Sequence, residues 1–174
     1  MEKNNKSSIS GIDANVIVLI AYLGGLLLTW ITNLDYAAWI VPFIIYILER
    51  NSEFVKKQSA QATVFFIVTA LISLIFNIIW LILFPTSYIV GTSLNNFTGS
   101  TLIMSIMSII SLLISISIVV IVIIISSKVW NYENYKIPVV NKLVPLFRNL
   151  VDKLIGNAFD KKNSKKKDDK KYEK

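Results

Sequence analysis

The sequence predicts an all-α integral membrane protein, a bundle of about four transmembrane helices. Hydrophobic residues make up 54% of its 174 residues and charged residues only 17%, and the charges concentrate at the termini and in one central patch. The range 101–127 holds 27 residues, 19 of them apolar, with no charge and no proline. A bilayer core about 30 Å thick needs about 20 helical residues to cross it, whereas a buried strand runs about 4–8 residues. Because backbone groups in lipid must satisfy one another's hydrogen bonds, this range is predicted to form a membrane helix.

Four apolar ranges make up the predicted bundle. After a polar N-terminal tail at 1–13, we expect a transmembrane bundle over 14–127, with spans at about 14–31, 36–48, 59–84 and 101–127. The adjacent Gly24 and Gly25 favour the close approach of another helix to the first span, the alternative being that they soften the span. The second span is short for a full crossing, and Pro42 is expected to kink it. Because 14–48 is too long for one straight span and just long enough for two, we favour four spans over three.

The positions of lysine and arginine predict the orientation. All 18 of these residues lie in the N-terminal tail, in 50–57, or from Lys128 onwards, and the loops at 32–35 and 85–100 contain none. The positive-inside rule then predicts a multi-pass protein of the plasma membrane with both termini in the cytoplasm. A three-span protein with its N-terminus outside is the alternative, because it misplaces only Lys3 and Lys6.

Small and polar side chains mark one face of each of the last two predicted spans. The stripe on 59–84 comprises Ala62, Thr69, Ser73 and Asn77. The face on 101–127 comprises Thr101, Ser108, Ser111, Ser115 and Ser126, while Ser117 points away. Lipid provides no hydrophobic force between helices, so such faces are typical of helix packing, and we predict that the two meet. We expect Asn77 to form an interhelical hydrogen bond, the alternative being a polar contact on a substrate path.

The chain beyond the last span is predicted to be a juxtamembrane amphipathic segment at 128–159 and a disordered tail at 160–174. Pro145 can open a helix, and one face of that helix would then carry Leu143, Leu146, Phe147, Leu150, Val151 and Leu154. We predict that this helix lies on the membrane, with a partner-binding helix as the alternative. The tail holds eight lysines and four acids, too polar to bury a core. The cations expected to attract anionic lipid are Arg148, Lys153, Lys161, Lys162, Lys165, Lys166 and Lys167.

Two short motifs flank the predicted spans and carry a family resemblance. The first motif comprises Pro42, Phe54, Gln61 and Ala62, and the second comprises Glu133, Tyr135 and Pro138. Both lie at the cytoplasmic edge in the four-span arrangement, so we predict that they touch, with Glu133 pairing with Lys56 and Lys57. The pattern resembles small prokaryotic membrane proteins similar to the Tic-twenty component of the translocon in the inner chloroplast envelope. Gln58 stands where that family usually has histidine, which argues against a proton-linked role.

The resemblance implies a non-enzymatic protein that assists protein or peptide translocation or membrane assembly, with other membrane proteins or further copies of itself as partners. The alternative is an envelope-associated structural protein that binds anionic lipid through its basic C-terminus. The sequence has no cysteine and no histidine, and the predicted spans hold no carboxylate pair or nucleophile–base set. We therefore expect no enzyme activity, no catalytic residue, no cofactor or metal site, and no nucleic-acid partner.

Overall fold

The computed structural model describes Ser7, Ile9 and the ranges 11–31, 35–83 and 97–169, without the side chains of Asp35, Leu83, 97–101 and 155–169. Within these ranges the regular elements are helical. They are α1 (Ala14–Trp30), a 3-10 helix (Asp35–Ala37), α2 (Ile40–Leu48), α3 (Glu53–Leu83), α4 (Phe97–Trp130) and α5 (Pro138–Asp169). Two compact units divide the chain, 1–135 with the first four α-helices and 136–174 with α5. Most of the predicted loop at 85–100 lies outside the described residues.

The two longest helices of the first unit are apolar and largely uncovered. Helix α3 has 31 residues and α4 has 34, so each is longer than the 20 or so residues that a bilayer requires. Only 17% of the most apolar 18-residue stretch of α3 and 11% of that of α4 are buried. A core helix of a soluble protein would bury most of such a stretch. The exposed apolar surface therefore indicates a membrane environment.

The first two helices are shorter than the other two. Helix α1 has 17 residues, and α2 has nine and is therefore only about 14 Å long. The prediction that Pro42 kinks the second span is wrong. Pro42 lies in the first turn of α2, where its missing N–H would have had no partner within the helix.

Helix α1 forms the centre of the first unit and contacts α2, α3 and α4. Its buried residues recur every three or four positions, at Ala14, Asn15, Ile17, Val18, Ala21, Tyr22 and Gly25. The expectation of close packing at the glycines is confirmed, because a Cβ added to Gly25 would lie 2.2 Å from Cε2 of Phe66 on α3. Among the side chains of α4 that the structure describes, from Leu102 onwards, the fully buried ones are confined to the last third of the helix, at Val122, Ile125 and Val129. Packing around α1 is thus densest at the end where α4 finishes.

The prediction that the polar faces of α3 and α4 pack together is wrong. Helix α4 packs on α1 instead. The reason is that α1 offers alanine and glycine on its buried face, which lets two helices approach it closely. The two polar faces are left on opposite sides of open cavities.

Local signals set the helix ends differently from the predicted ones. Helix α3 begins at Glu53 rather than at 59, because the Ser52 hydroxyl accepts the Val55 N–H at 3.3 Å and caps the helix. Helix α5 begins at Pro138, since proline suits a first helical position. The prediction that Pro145 opens this helix is wrong, because Pro145 lies inside it. The backbone of α5 stays helical to Asp169, although the disordered tail was predicted to begin at 160. The lysines of this region favour the helix, because lysine is a good helix former.

Candidate functional site

Polar groups connect four helix ends at one end of the first unit. These ends are the start of α1, the end of α2, the start of α3 and the end of α4. We call the connecting set the polar clamp; its members are the side chains of Asn15, Tyr22, Glu49, Gln58 and Tyr132 and the main-chain carbonyls of Trp130 and Tyr135. The basic residues of 50–57 and Lys128 belong to the same end, since they lie beside these positions in the chain.

Asn15 joins the start of α1 to the end of α4. Its Nδ2 donates to the carbonyl of Trp130 at 3.3 Å, and its Oδ1 accepts the Tyr132 hydroxyl at 3.2 Å. Carbonyls in the last turn of a helix have no partner within the helix. Asn15 therefore satisfies one of the free carbonyls of α4 from a neighbouring helix, which explains why an amide is placed among buried apolar residues of α1.

Tyr132 ends α4 in a conformation that is unusual for its residue type. The Glu133 N–H donates to the carbonyl of Lys128 at 3.0 Å, and the Tyr132 N–H to that of Val129 at 2.9 Å, which is a Schellman motif. The motif places Tyr132 at φ 56°, where a tyrosine costs about 1–2 kcal/mol relative to glycine. Its ring lies 5.8 Å from that of Phe54, so tertiary contacts hold the residue in this conformation.

Gln58 connects α1, α3 and the segment after α4. It is 1% exposed, its Nε2 donates to the carbonyl of Tyr135 at 3.3 Å, and its Oε1 accepts the Tyr22 hydroxyl at 3.5 Å. The two sequence motifs therefore meet as predicted, through the hydrogen bond from Gln58 to Tyr135, and Phe54 contacts Tyr132 just before the second motif. Gln61 is equally buried, but its Nε2 has no hydrogen-bond partner among the described residues.

Glu49 is a clamp residue that the sequence did not reveal. It is 2% exposed, and its Oε1 accepts the main-chain N–H groups of Asn51 and Ser52, both at 2.9 Å. Its other carboxylate oxygen accepts the hydroxyl of Ser7 from the N-terminal segment. In the sequence Glu49 resembles any acid in a polar loop. The one feature that could have identified it is its position three residues before Ser52, the residue that caps α3.

The predicted ion pair of Glu133 with Lys56 and Lys57 is wrong. Glu133 binds Lys128 at 2.9 Å, with both side chains about half exposed. The turn after α4 brings these two residues together over a short distance in the chain, while Lys56 Nζ lies 5.8 Å above the ring of Tyr46. The remaining motif residues have packing positions: Pro42 and Ala62 are buried, and Pro138 is the first residue of α5.

The polar faces of α3 and α4 line cavities away from the clamp. A cavity of about 650 Å³ separates Ser73, Asn77 and Trp80 from Ser108 and Ser111. A neighbouring cavity of about 220 Å³ adds Thr69 and Ser115 to the lining. All six predicted helix-packing residues thus face these cavities.

Asn77 does form a contact between elements, although not with α4. Its Nδ2 donates to the Tyr36 hydroxyl of the 3-10 helix at 2.6 Å and to the Ser73 carbonyl at 2.9 Å. Among the described residues, no group of three or more histidines, cysteines or acids is placed to hold a metal ion.

The family of the chain follows from a match that spans α1 to α4 and the first turns of α5. Residues 13–144 match the model of the MamF/MmsF family, described as the magnetosome magnetite crystal formation protein family. Comparison with curated proteins and with solved structures gives no match. The resemblance to Tic-twenty-like translocon proteins is therefore wrong, and with it the translocation role loses its support. Because the match covers well over half of its length, the chain belongs to the MamF/MmsF family of magnetosome magnetite crystal formation proteins.

Proposed function

We propose that this chain is a non-enzymatic, multi-pass structural protein of the membrane within which crystals form. Crystal formation is the process that the description of its family names. The observation that carries this proposal is the uncovered apolar surface of α3 and α4. Exposed leucine and isoleucine side chains, such as Leu81 at 63% and Ile123 at 60%, are stable only against lipid or another apolar partner.

A four-segment topology fits the placement of charge. The clamp end holds Arg50, Lys56, Lys57 and Lys128, and the connections at the other ends of the helices, 32–35 and 84–96, contain no lysine or arginine. The positive-inside rule places the clamp end, and with it both termini, in the cytoplasm. Helix α2 is too short to cross a bilayer and would enter it only part of the way, packed on α1 and α3.

The chain is proposed to act on the membrane and not on the mineral. In the proposed topology the side opposite the clamp receives the connections 32–35 and 84–96, whose one charged residue is Asp35, and a single carboxylate does not form the multi-ligand site that a metal ion requires. The one buried carboxylate of the clamp, Glu49, already accepts hydrogen bonds from Ser7, Asn51 and Ser52. These features favour a protein that orders helices and lipid around a compartment.

Fractionation and reporter fusions test the membrane part of the proposal. The chain should stay with membranes through an alkaline carbonate wash and leave them only with detergent. Reporters fused at Asn51 and Lys174 should be cytoplasmic, and one at Asn95 should be on the opposite side. Release by carbonate, or a reporter at Asn95 on the cytoplasmic side, would contradict the proposed topology.

Deletion of the gene in the source cell tests the crystal-forming part. Crystal size or number should change, and wild-type protein should restore it. The variant Leu113→Glu, which places an acid on the exposed face of α4, should fail to restore it because the span is destabilised in lipid. Unchanged crystals after deletion would remove the proposed role and leave the membrane topology intact.

A further inference from the structure

Helix α5 carries a continuous row of exposed apolar side chains. The row comprises Val139, Leu143, Leu146, Leu150 and Leu154, which are between 40% and 72% exposed. At 3.6 residues per turn, successive side chains are about 100° apart, so these five fall within an arc of about 80°. The row extends over roughly 22 Å of helix at 1.5 Å per residue. We call it the leucine row.

Charged residues are arranged around the leucine row in a definite order. Lys142 and Lys153 follow one border of the row, about 20–40° beyond Leu146 by the same geometry. Arg148 and Asp152 occupy the opposite side of the helix. Lysines at the border of an apolar face can extend along it and keep their ammonium groups at the level of lipid phosphates. This order is typical of a helix that lies in the interface of a membrane.

We infer that α5 binds the surface of the bilayer that holds α3 and α4, with the leucine row among the acyl chains and Lys142 and Lys153 at the headgroups of anionic phospholipid. The inference rests on the proposed function, since it requires α4 to end at that bilayer. Seven residues, 131–137, separate α4 from α5, and an extended chain of that length reaches no further than about 25 Å. The membrane surface is therefore within reach of α5.

Two further features favour lipid over a protein partner. The tail that follows carries Lys161, Lys162, Lys165, Lys166 and Lys167, which add attraction to an anionic surface without requiring a complementary protein shape. Most of the leucine row lies beyond residue 144, where the family match ends. The lipid contact is thus a property inferred from this chain and not from its family.

Spin labels test this contact on the full chain, which has no cysteine of its own. The variants Leu146→Cys and Leu150→Cys place the label on the leucine row, Asn149→Cys places it off the row, and Leu113→Cys places it on the exposed face of α4. Each labelled protein is reconstituted in vesicles of phosphatidylcholine with phosphatidylglycerol. Labels on the row should collide with dissolved oxygen and lose collisions with a water-soluble nickel chelate, and the label at position 149 should do the reverse.

Further variants and a change of lipid test the cause. Leu150→Glu, made in the Leu146→Cys protein, should move the label at 146 into water, whereas Asn149→Glu should leave it in lipid. Replacing phosphatidylglycerol by phosphatidylcholine, or adding salt, should shift the row labels towards water because the lysine contribution is lost or screened.

The outcomes separate failure of this inference from failure of the proposed function. A label at position 113 that is accessible to the nickel chelate would refute the membrane span itself. A label at 113 in lipid, with positions 146, 149 and 150 equally exposed to water, would overturn the inference alone. Row labels shielded from both oxygen and the chelate would also overturn it, because a protein surface would then cover the row.

Discussion

Substitution of Gly25 by alanine should destabilise the first unit through a single clash. The added Cβ would lie 2.2 Å from Cε2, 2.6 Å from Cζ and 2.7 Å from Cδ2 of Phe66. The Phe66 ring is fully buried, so it cannot relieve the clash by turning out of the protein. Overpacking of this kind typically costs about 1–3 kcal/mol.

Gly24→Ala is the matched control for this change. Both glycines lie in the middle of α1, and alanine gains about 1 kcal/mol of helix propensity over glycine at each. At Gly24 the new Cβ would meet only Val41, with Cγ1 at 3.0 Å, which a small side-chain shift relieves. We therefore expect Gly25→Ala to be less stable than Gly24→Ala by about 1–3 kcal/mol.

The free energy of unfolding in detergent micelles, followed by helical circular dichroism against denaturant, measures this difference. Phe66→Leu added to Gly25→Ala should recover part of the loss, because the ring edge that causes the clash is absent, and a double-mutant cycle would show the coupling. Equal stabilities of the two alanine variants, or additive effects in the cycle, would refute the close approach of α1 and α3 at this point.

Three further predictions use the same unfolding measurement. Gln58→Leu should cost about 1–3 kcal/mol because it leaves buried partners unpaired. It should cost more than Gln61→Leu, because Gln58 bonds both Tyr22 and Tyr135, whereas among the described residues the Gln61 Nε2 has no partner and its side chain bonds only Tyr22; the reverse order would contradict the clamp. Tyr132→Ala should be less stable than Tyr132→Gly by about 1–2 kcal/mol, because both lose the ring but only alanine keeps the unfavourable left-handed backbone; equal values would show that this conformation carries no cost. Glu133→Gln should change stability by less than about 1 kcal/mol, because its pair with Lys128 is exposed to solvent, and a larger loss would assign that pair a structural role.

The sequence predicted the class of the fold and several of its contacts. The apolar length of 101–127 was sufficient to predict α4, and the glycine pair was sufficient to predict a close approach in α1. The positions of the two motifs at neighbouring helix ends predicted their contact, which the structure places between Gln58 and Tyr135. These features depend on local composition and on the alternation of the chain between two sides of a bundle.

The partners of each helix face could not be predicted in the same way. A serine at position 111 indicates a face that avoids lipid, but it does not say whether a helix or a cavity lies opposite. Asn15 and Glu49 are bonded to residues 115 and 42 positions away in the chain. No periodicity in the sequence encodes such pairs, and an acid or amide next to other polar residues looks like part of a loop. The length of α2 was similarly hidden, because the apolar run at 36–48 includes a 3-10 helix and a turn.

The polar clamp and the cavities lie towards opposite ends of the same helices, and this asymmetry has a mechanical consequence. Helices α3 and α4 are each fixed to α1 near one tip and are separated from each other further along. Lateral pressure in the leaflet opposite the clamp would change the distance between α3 and α4 without breaking any hydrogen bond of the clamp. Lipids that alter that pressure are thus expected to widen or narrow the space between Asn77 and Ser108, while the clamp keeps its geometry.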